Sequence, residues 1–413
     1  MAASISLRSY LLVTPTPSRR PSVTLTFPDI SLQHTWHLDT LPFAAFAHPS
    51  KTKRFDEQVT TLDPDLVATI QPHIANVSSH LPPKARLQHH AAASCFLYIL
   101  LSLTTPSQNM HSTTYSLRST IPIGAGLGSS ASISVCISSA LLLQNGHIPL
   151  PNTLPNPNSS LDTTQADHTT LDIINHWAFV GELNIHGTPS GVDNTVATKG
   201  KAVLFRRTAP GQPPLVTSLH DFPVLPLLLV DTKQSRSTAV EVAKVAALKS
   251  AHAGVVELIL DAVDRITEEA HSLISQPGFD AAHPESLQRL GELIRMNHGL
   301  LVALSVSHPK LERVRELIDM AEIGYTKLTG AGGGGCAITL LRPDATEDML
   351  RELEERIEAE GFAKYETTLG GEGVGVTVAV GVSQEEFLGA KESRDVEALM
   401  REEKVGRWRY WSV

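Results

Sequence analysis

The first 123 residues of this 413-residue chain contain no glycine, although a usual frequency of roughly 7% would place about eight or nine there. A glycine-built phosphate loop is therefore excluded from that stretch. Cysteine is nearly as scarce. Cys95, Cys136 and Cys336 stand far apart and odd in number, which excludes a disulfide framework and a paired zinc-ligand pattern and points to a reducing, cytoplasmic setting. No apolar run approaches the roughly 20 residues that a membrane-spanning helix needs, so no membrane partner is expected. A net charge of −9 and a pI near 6.0 argue against a nucleic-acid partner, which wants a basic face. The 18 histidines include no H-E-x-x-H spacing, and no G-x-x-x-x-G-K-[ST] loop is present.

What remains is an ordinary globular balance, 42% apolar and 19% charged, in a chain long enough for two domains with cores of their own. The opening MAASISLRSYLLVTPTPSRRPSV has arginines, serines and no acid, as a transit peptide does. Its SISLRSYLLV also mixes polar and β-favouring apolar residues as a half-buried strand does, and the strand is the preferred reading. Residues 4–41 continue in short alternating steps between proline-marked breaks and predict an antiparallel sheet. KARLQHHAAASCFLYILLSL reads as a buried helix and TTYSLRSTIPI as a strand.

Next, SISVCISSALLLQ predicts a helix, and NGHIPLPNTLPNPNSSLDTTQADH a surface excursion without periodicity. LDIINHWAFVGELNIHG predicts a helix, TPSGVDNTVATKG a loop and KAVLFRR a strand. VLPLLLVDT opens a second domain, so the expected division is 1–224 and 225–413. In the second part, 237–274 and 285–304 predict long amphipathic helices. TKLTGAGGGGCAITLL is a glycine loop before a strand, TEDMLRELEERIEAEG a helix and GVGVTVAV a further strand. The alternation predicts an α+β architecture.

Three constellations bear chemistry. In PIGAGLGSSAS, Gly124, Gly126 and Gly128 permit close backbone approach to an anion, Ser129, Ser130 and Ser132 offer hydroxyls, and the following helix offers free N–H groups. A tight strand-to-helix connection accounts for the same loop without a ligand. In GELNIHGTPSGVDNTV, a helical Glu182 and a loop Asp193 bring two carboxylates to one neighbourhood, suited to a magnesium ion and a substrate hydroxyl. A surface glutamate and a turn-capping aspartate explain them equally simply. Gly330 and Gly332 to Gly335 suit a phosphate, a substrate, a hinge or close packing. Lys233, Arg236, Ser237 and Thr238 suit an anion at a helix head, or a plain helix cap.

Together and in this order, PIGAGLGSSAS, GELNIHGTPSGVDNTV and KLTGAGGGGCAITLL resemble the GHMP family of small-molecule kinases. The resemblance runs from about Ser4 to the C-terminal strands. It implies an α+β two-domain kinase, with a ribosomal-protein-S5-like N-terminal domain and a ferredoxin-like C-terminal domain. By the same resemblance ATP lies along Gly124, Ala125, Gly126, Leu127, Gly128, Ser129, Ser130, Ala131 and Ser132. Ser130 and Glu182 hold Mg2+. Asp193 takes the proton of a small alcohol as that alcohol attacks the γ-phosphate. Thr238, Gly330, Gly332 and Gly333 lie at the substrate, and the family implies a homodimer.

The family's first motif, a proline-glycine-lysine strand followed by a Gly-Glu-His element, has no counterpart here. His298 stands without the paired histidine of relatives, and Ala337 replaces a common glycine. An active kinase is the expectation. The competing expectations are a non-catalytic relative that binds nucleotide or substrate as a regulatory subunit, and a kinase for another small alcohol.

Overall fold

The computed structural model describes residues 1–105, 111–151, 163–208 and 214–411. Residues 152–162, the middle of the expected surface excursion, lie outside the described residues, and its end, 163–168, is corrected to helix, because these residues form the start of the helix Thr163–His186.

The chain opens with β1 (Ala2–Ala3), β2 (Ser9–Pro15), β3 (Ser22–Phe27) and β4 (Leu32–His37). A short α1 (Phe43–Phe46), α2 (Pro64–Ala75) and α3 (Pro83–Leu103) follow, then β5 (Thr113–Ser119). Asp63 starts α2 by accepting hydrogen bonds from the N–H groups of Asp65 and Leu66. β2 to β5 form one sheet in the order β2-β5-β3-β4. The expected run of antiparallel neighbours is corrected here, because β5 inserts between β2 and β3 and runs parallel to β3. Burial gives the reason: the five inner residues of β5 are all buried, so this strand takes the centre. Alternation along one strand carries no record of its partners.

After β5 come α4 (Ser129–Gln144), α5 (Thr163–His186) and α6 (Val192–Lys199). The residues of α6 were expected to form a loop. Instead Gly191, at φ 81°, ends the turn from α5 in a left-handed conformation, and VDNTVATK coils until Gly200 stops it. Asn175 of α5 pins the new helix, accepting from Asn194 at 2.6 Å and donating to Thr195 at 3.2 Å. One core unites this half. Trp36, Phe96, Leu25, Ile70 and Trp177 pack between the sheet and its helices, each such side chain contributing ~1.5–3 kcal/mol by burial. The indole of Trp177 keeps its polar atom satisfied by donating to the Phe55 carbonyl at 2.8 Å.

β6 (Ala202–Arg206) and β7 (Leu215–Leu219) join β1 in a small sheet. β8 (Leu225–Asp231) then begins a second, fully antiparallel sheet that is completed by β9 (Gly324–Leu328), β10 (Cys336–Leu341) and β11 (Ala363–Leu369), in the order β11-β8-β10-β9. Between its strands lie α7 (Thr238–Ala251), α8 (Ala253–Ile274), α9 (Pro284–Ala303), α10 (Pro309–Ala321) and α11 (Glu347–Ala359). The helix expected from 237 to 274 is two, broken at His252, whose φ of −137° and ψ of 49° leave the helical region. Leu228, Val230, Val314, Ile318 and Ile357 form the second core between this sheet, α10 and α11.

The two halves are stitched by the opening segment, where Ile5 bridges to Leu369 while Ala2 and Ala3 pair with β6. The expected strand GVGVTVAV shrinks to Gly375–Val376, paired with Arg409–Tyr410. Beyond it Val378 and Val380 are exposed, so its apolar pattern has no sheet to enter.

Candidate active site

The chain passes from β5 into α4 through Gly124, Gly126 and Gly128, all at φ between 75° and 78°. Gly128 is the N-cap of α4 and supplies no side-chain cap, so the first-turn N–H groups of a 16-residue helix point outward. A side chain at Gly126 would collide with the guanidinium of Arg236. A Cβ at Gly128 would lie 3.5 Å from that of Asp193, so the starts of α4 and α6 abut. The loop is thus a tight connection that also presents helix-start N–H groups, with the Arg236 guanidinium lying over Gly126.

Glu182 projects from α5 toward the first turn of α4 and is 5% exposed. Its Oε2 accepts a hydrogen bond from Ser130 Oγ at 3.3 Å, while its Oε1 is buried, and the Ser134 hydroxyl also lies by the carboxyl. Burial pushes the carboxyl up to about 7. The Ser130 hydrogen bond opposes this shift, and the nearby Asp193 charge adds to it. A buried carboxylate with spare acceptor capacity is an environment a divalent cation satisfies. Among the described residues no three His, Cys, Asp or Glu side chains converge as a metal cage. That agrees with Mg2+, which takes one or two protein ligands and fills its shell with water and phosphate. The residues present therefore fit both a polyphosphate and its magnesium.

Asp193, in the first turn of α6, opens onto a cavity of about 670 Å³ shared with Gly126, Leu127, Gly128, Ser132 and Gly330. The protein mass around it raises its pKa, and His186 and Arg236 pull the other way. Arg236 spans the two glycine segments. Its Nη1 donates to the Thr329 carbonyl at 3.2 Å, and its guanidinium covers Gly126 on one side and Gly330 on the other. Burial lowers its pKa, while the Asp193 charge partly restores it.

Of the residues singled out in the sequence, the structure brings together the 124–132 loop, Glu182, Asp193 and Gly330. Thr238 opens α7 and is exposed, and Ser237 makes no side-chain cap there, contrary to the capping expectation. Gly332 and Gly333 do not line the cavity. The Gly333 N–H donates to the Val306 carbonyl at 2.8 Å, and the Gly335 N–H to the Gln234 carbonyl at 2.9 Å. In this part of the run, the missing side chains allow backbone to pack on backbone.

One residue acquires a place that sequence reasoning did not assign, and another a sharper one. Arg236 was legible as a cation suited to an anion at a helix head, and its place between the two glycine segments was not. His186 was legible only by its four-residue spacing from Glu182 on one helix.

Fold and site define a GHMP kinase. Residues 92–154 match the GHMP kinases N terminal domain, and residues 277–359 the GHMP kinases C terminal domain. The whole chain is 53% identical over 432 residues to the mevalonate kinase of Gibberella zeae, spanning 83% of that protein. It is 40% identical to that of Candida albicans over 94% of its length, and 91% of the chain is 34% identical to the human enzyme over 89% of that protein. The fold is that of the L. major mevalonate kinase solved in complex with R-mevalonate (TM-score 0.58, 21% identity, 90% of this chain and 89% of that one). It is also that of the Methanococcus jannaschii mevalonate kinase (TM-score 0.57, 21% identity, 89% and 90%). The chain belongs to the mevalonate kinase family.

Proposed function

We infer that the chain transfers the γ-phosphoryl group of ATP to the hydroxyl of mevalonate, yielding 5-phosphomevalonate and ADP. The observation that carries the chemistry is the convergence of Gly128, Asp193, Ser130 and Glu182 at the abutting starts of α4 and α6. Full-length similarity to mevalonate kinases supports the acceptor.

The ATP phosphates lie along Gly124 to Ser132, where the first-turn N–H groups of α4 meet negative charge. When bound, Mg2+ neutralises phosphate charge, with Ser130 and Glu182 as the residues that hold it. Asp193 accepts the hydroxyl proton as the new oxygen–phosphorus bond forms and the bond to ADP breaks. Its raised pKa makes it a stronger base than an ordinary surface aspartate. Arg236 sets a fixed positive charge beside that carboxylate and between the glycine segments, where charge moves during transfer. Gly330 borders the substrate, with Gly332 and Gly333 holding the segment in place and Thr238 at its approach. Assembly as a homodimer in the cytoplasm belongs to the same reading.

The retained base and the buried Glu182–Ser130 pair disfavour a purely regulatory role. The test is magnesium-dependent ADP release by purified protein with mevalonate, compared with galactose and homoserine. Turnover with mevalonate that is lost in Asp193→Asn supports the reading. A folded, ATP-binding protein with no such turnover overturns it.

A further inference from the structure

His186 closes α5 one turn beyond Glu182, on the same helix face. Its Nε2 lies 3.1 Å from Ser130 Oγ and 3.8 Å from Glu182 Oε2. The imidazole side chain is 53% exposed, so packing alone does not hold it there. The Ser130 hydroxyl has one hydrogen and two acceptors within reach, Glu182 Oε2 and His186 Nε2.

An oxygen that turns its lone pair to a cation must send its hydrogen elsewhere. If Glu182 faces the same cation, its oxygen is a poor recipient for that hydrogen. The imidazole nitrogen, 3.1 Å from the hydroxyl, is the other acceptor within reach. We propose that His186 is a positioning residue for the metal-holding pair: its Nε2 accepts the Ser130 hydrogen, leaving the Ser130 oxygen and the Glu182 carboxylate both free for a divalent cation. The proposal rests on the reading of Ser130 and Glu182 given above. It follows the general logic that partners behind a ligand set its orientation and affinity.

The experiment measures Mn2+ binding to the full-length protein with ADP by electron paramagnetic resonance, without any turnover. His186→Leu should weaken Mn2+ binding roughly tenfold, leave metal-free ADP binding unchanged, and be largely rescued by His186→Gln, whose amide oxygen is an acceptor at similar reach. Wild-type Mn2+ affinity in His186→Leu, with affinity lost in Glu182→Gln, overturns the role of His186 alone. A loss that glutamine does not rescue and that comes with a lower melting temperature also overturns it, since it marks a structural role. Wild-type affinity in both Glu182→Gln and Ser130→Ala overturns the underlying metal reading instead.

Discussion

Ser130 Oγ, in the first turn of one helix, donates a 3.3 Å hydrogen bond to Glu182 Oε2 on another, across 52 residues of chain. The contact joins the phosphate loop to the buried carboxylate, and Asp193 lies against the same loop at Gly128. Most of what can be tested in this protein follows from these few contacts.

Asp193→Asn preserves size and removes the base. Steady-state kinetics should show kcat lowered by about 10²–10⁴-fold, the usual worth of a positioned general base. Nucleotide affinity by calorimetry should stay within a few-fold of wild type. Loss of both in parallel would place Asp193 in binding, not in proton transfer.

Glu182 carries a stability cost that depends on pH. Its folded-state pKa, about 7, is above the ordinary 4.5, so its contribution is fully present below pH 4.5 and is lost as pH rises through 7. In the metal-free protein, Glu182→Gln should therefore match wild type near pH 4.5 and be more stable at pH 8, by roughly 3 kcal/mol. Denaturant titrations at the two pH values check the sign. The same variant should lose turnover, the trade expected where a functional group is buried against its preference.

Gly126→Ala places a methyl group into the Arg236 guanidinium at a backbone φ of 78°. A loss of about 1–3 kcal/mol in stability is expected from strain and overpacking together, along with a drop in kcat/KM. Adding Arg236→Ser opens the space. The double variant should recover part of the stability but none of the activity. A double-mutant cycle with no coupling would show that the two groups do not touch.

Arg118 ties the C-terminal segment to the first sheet. Its side chain is 5% exposed, lies 3.0 Å from Asp29, and donates to the carbonyls of Leu388 and Ala390 beyond the sheet. Arg118→Met removes a buried charge whose partner remains, at a cost of about 3–5 kcal/mol. Limited proteolysis should then cut near Ala390 well before the phosphate loop. Uniform cleavage along the chain would mean that Arg118 supports the sheet itself.

Much of the architecture was legible because local periodicity suffices for long elements. α3 and α4 fall where their apolar spacing placed them, α5 does so from Leu171 onward but starts earlier, at Thr163, and the α4 loop announced itself by three glycines after a glycine-free stretch. Pairing and short helices were not legible. Nothing in TTYSLRS says that β5 separates β2 from β3, because strand alternation encodes a face and not a neighbour. VDNTVATK has too weak a periodicity to announce α6. It coils because Gly191 and Gly200 bound it and Asn175 holds it.

The site divides in the same way. By itself the sequence determined the residue types: a glycine-serine loop before a helix, a helical glutamate and an aspartate after a glycine. It equally allowed a connection loop, a surface acid and a turn cap. Only the tertiary structure decided between these readings, by burying Glu182 against Ser130, setting Asp193 against Gly128, and threading Arg236 between glycine segments about 200 residues apart in sequence. Charge, burial and proximity are properties of folded space, and a carboxylate acquires its chemistry from what surrounds it.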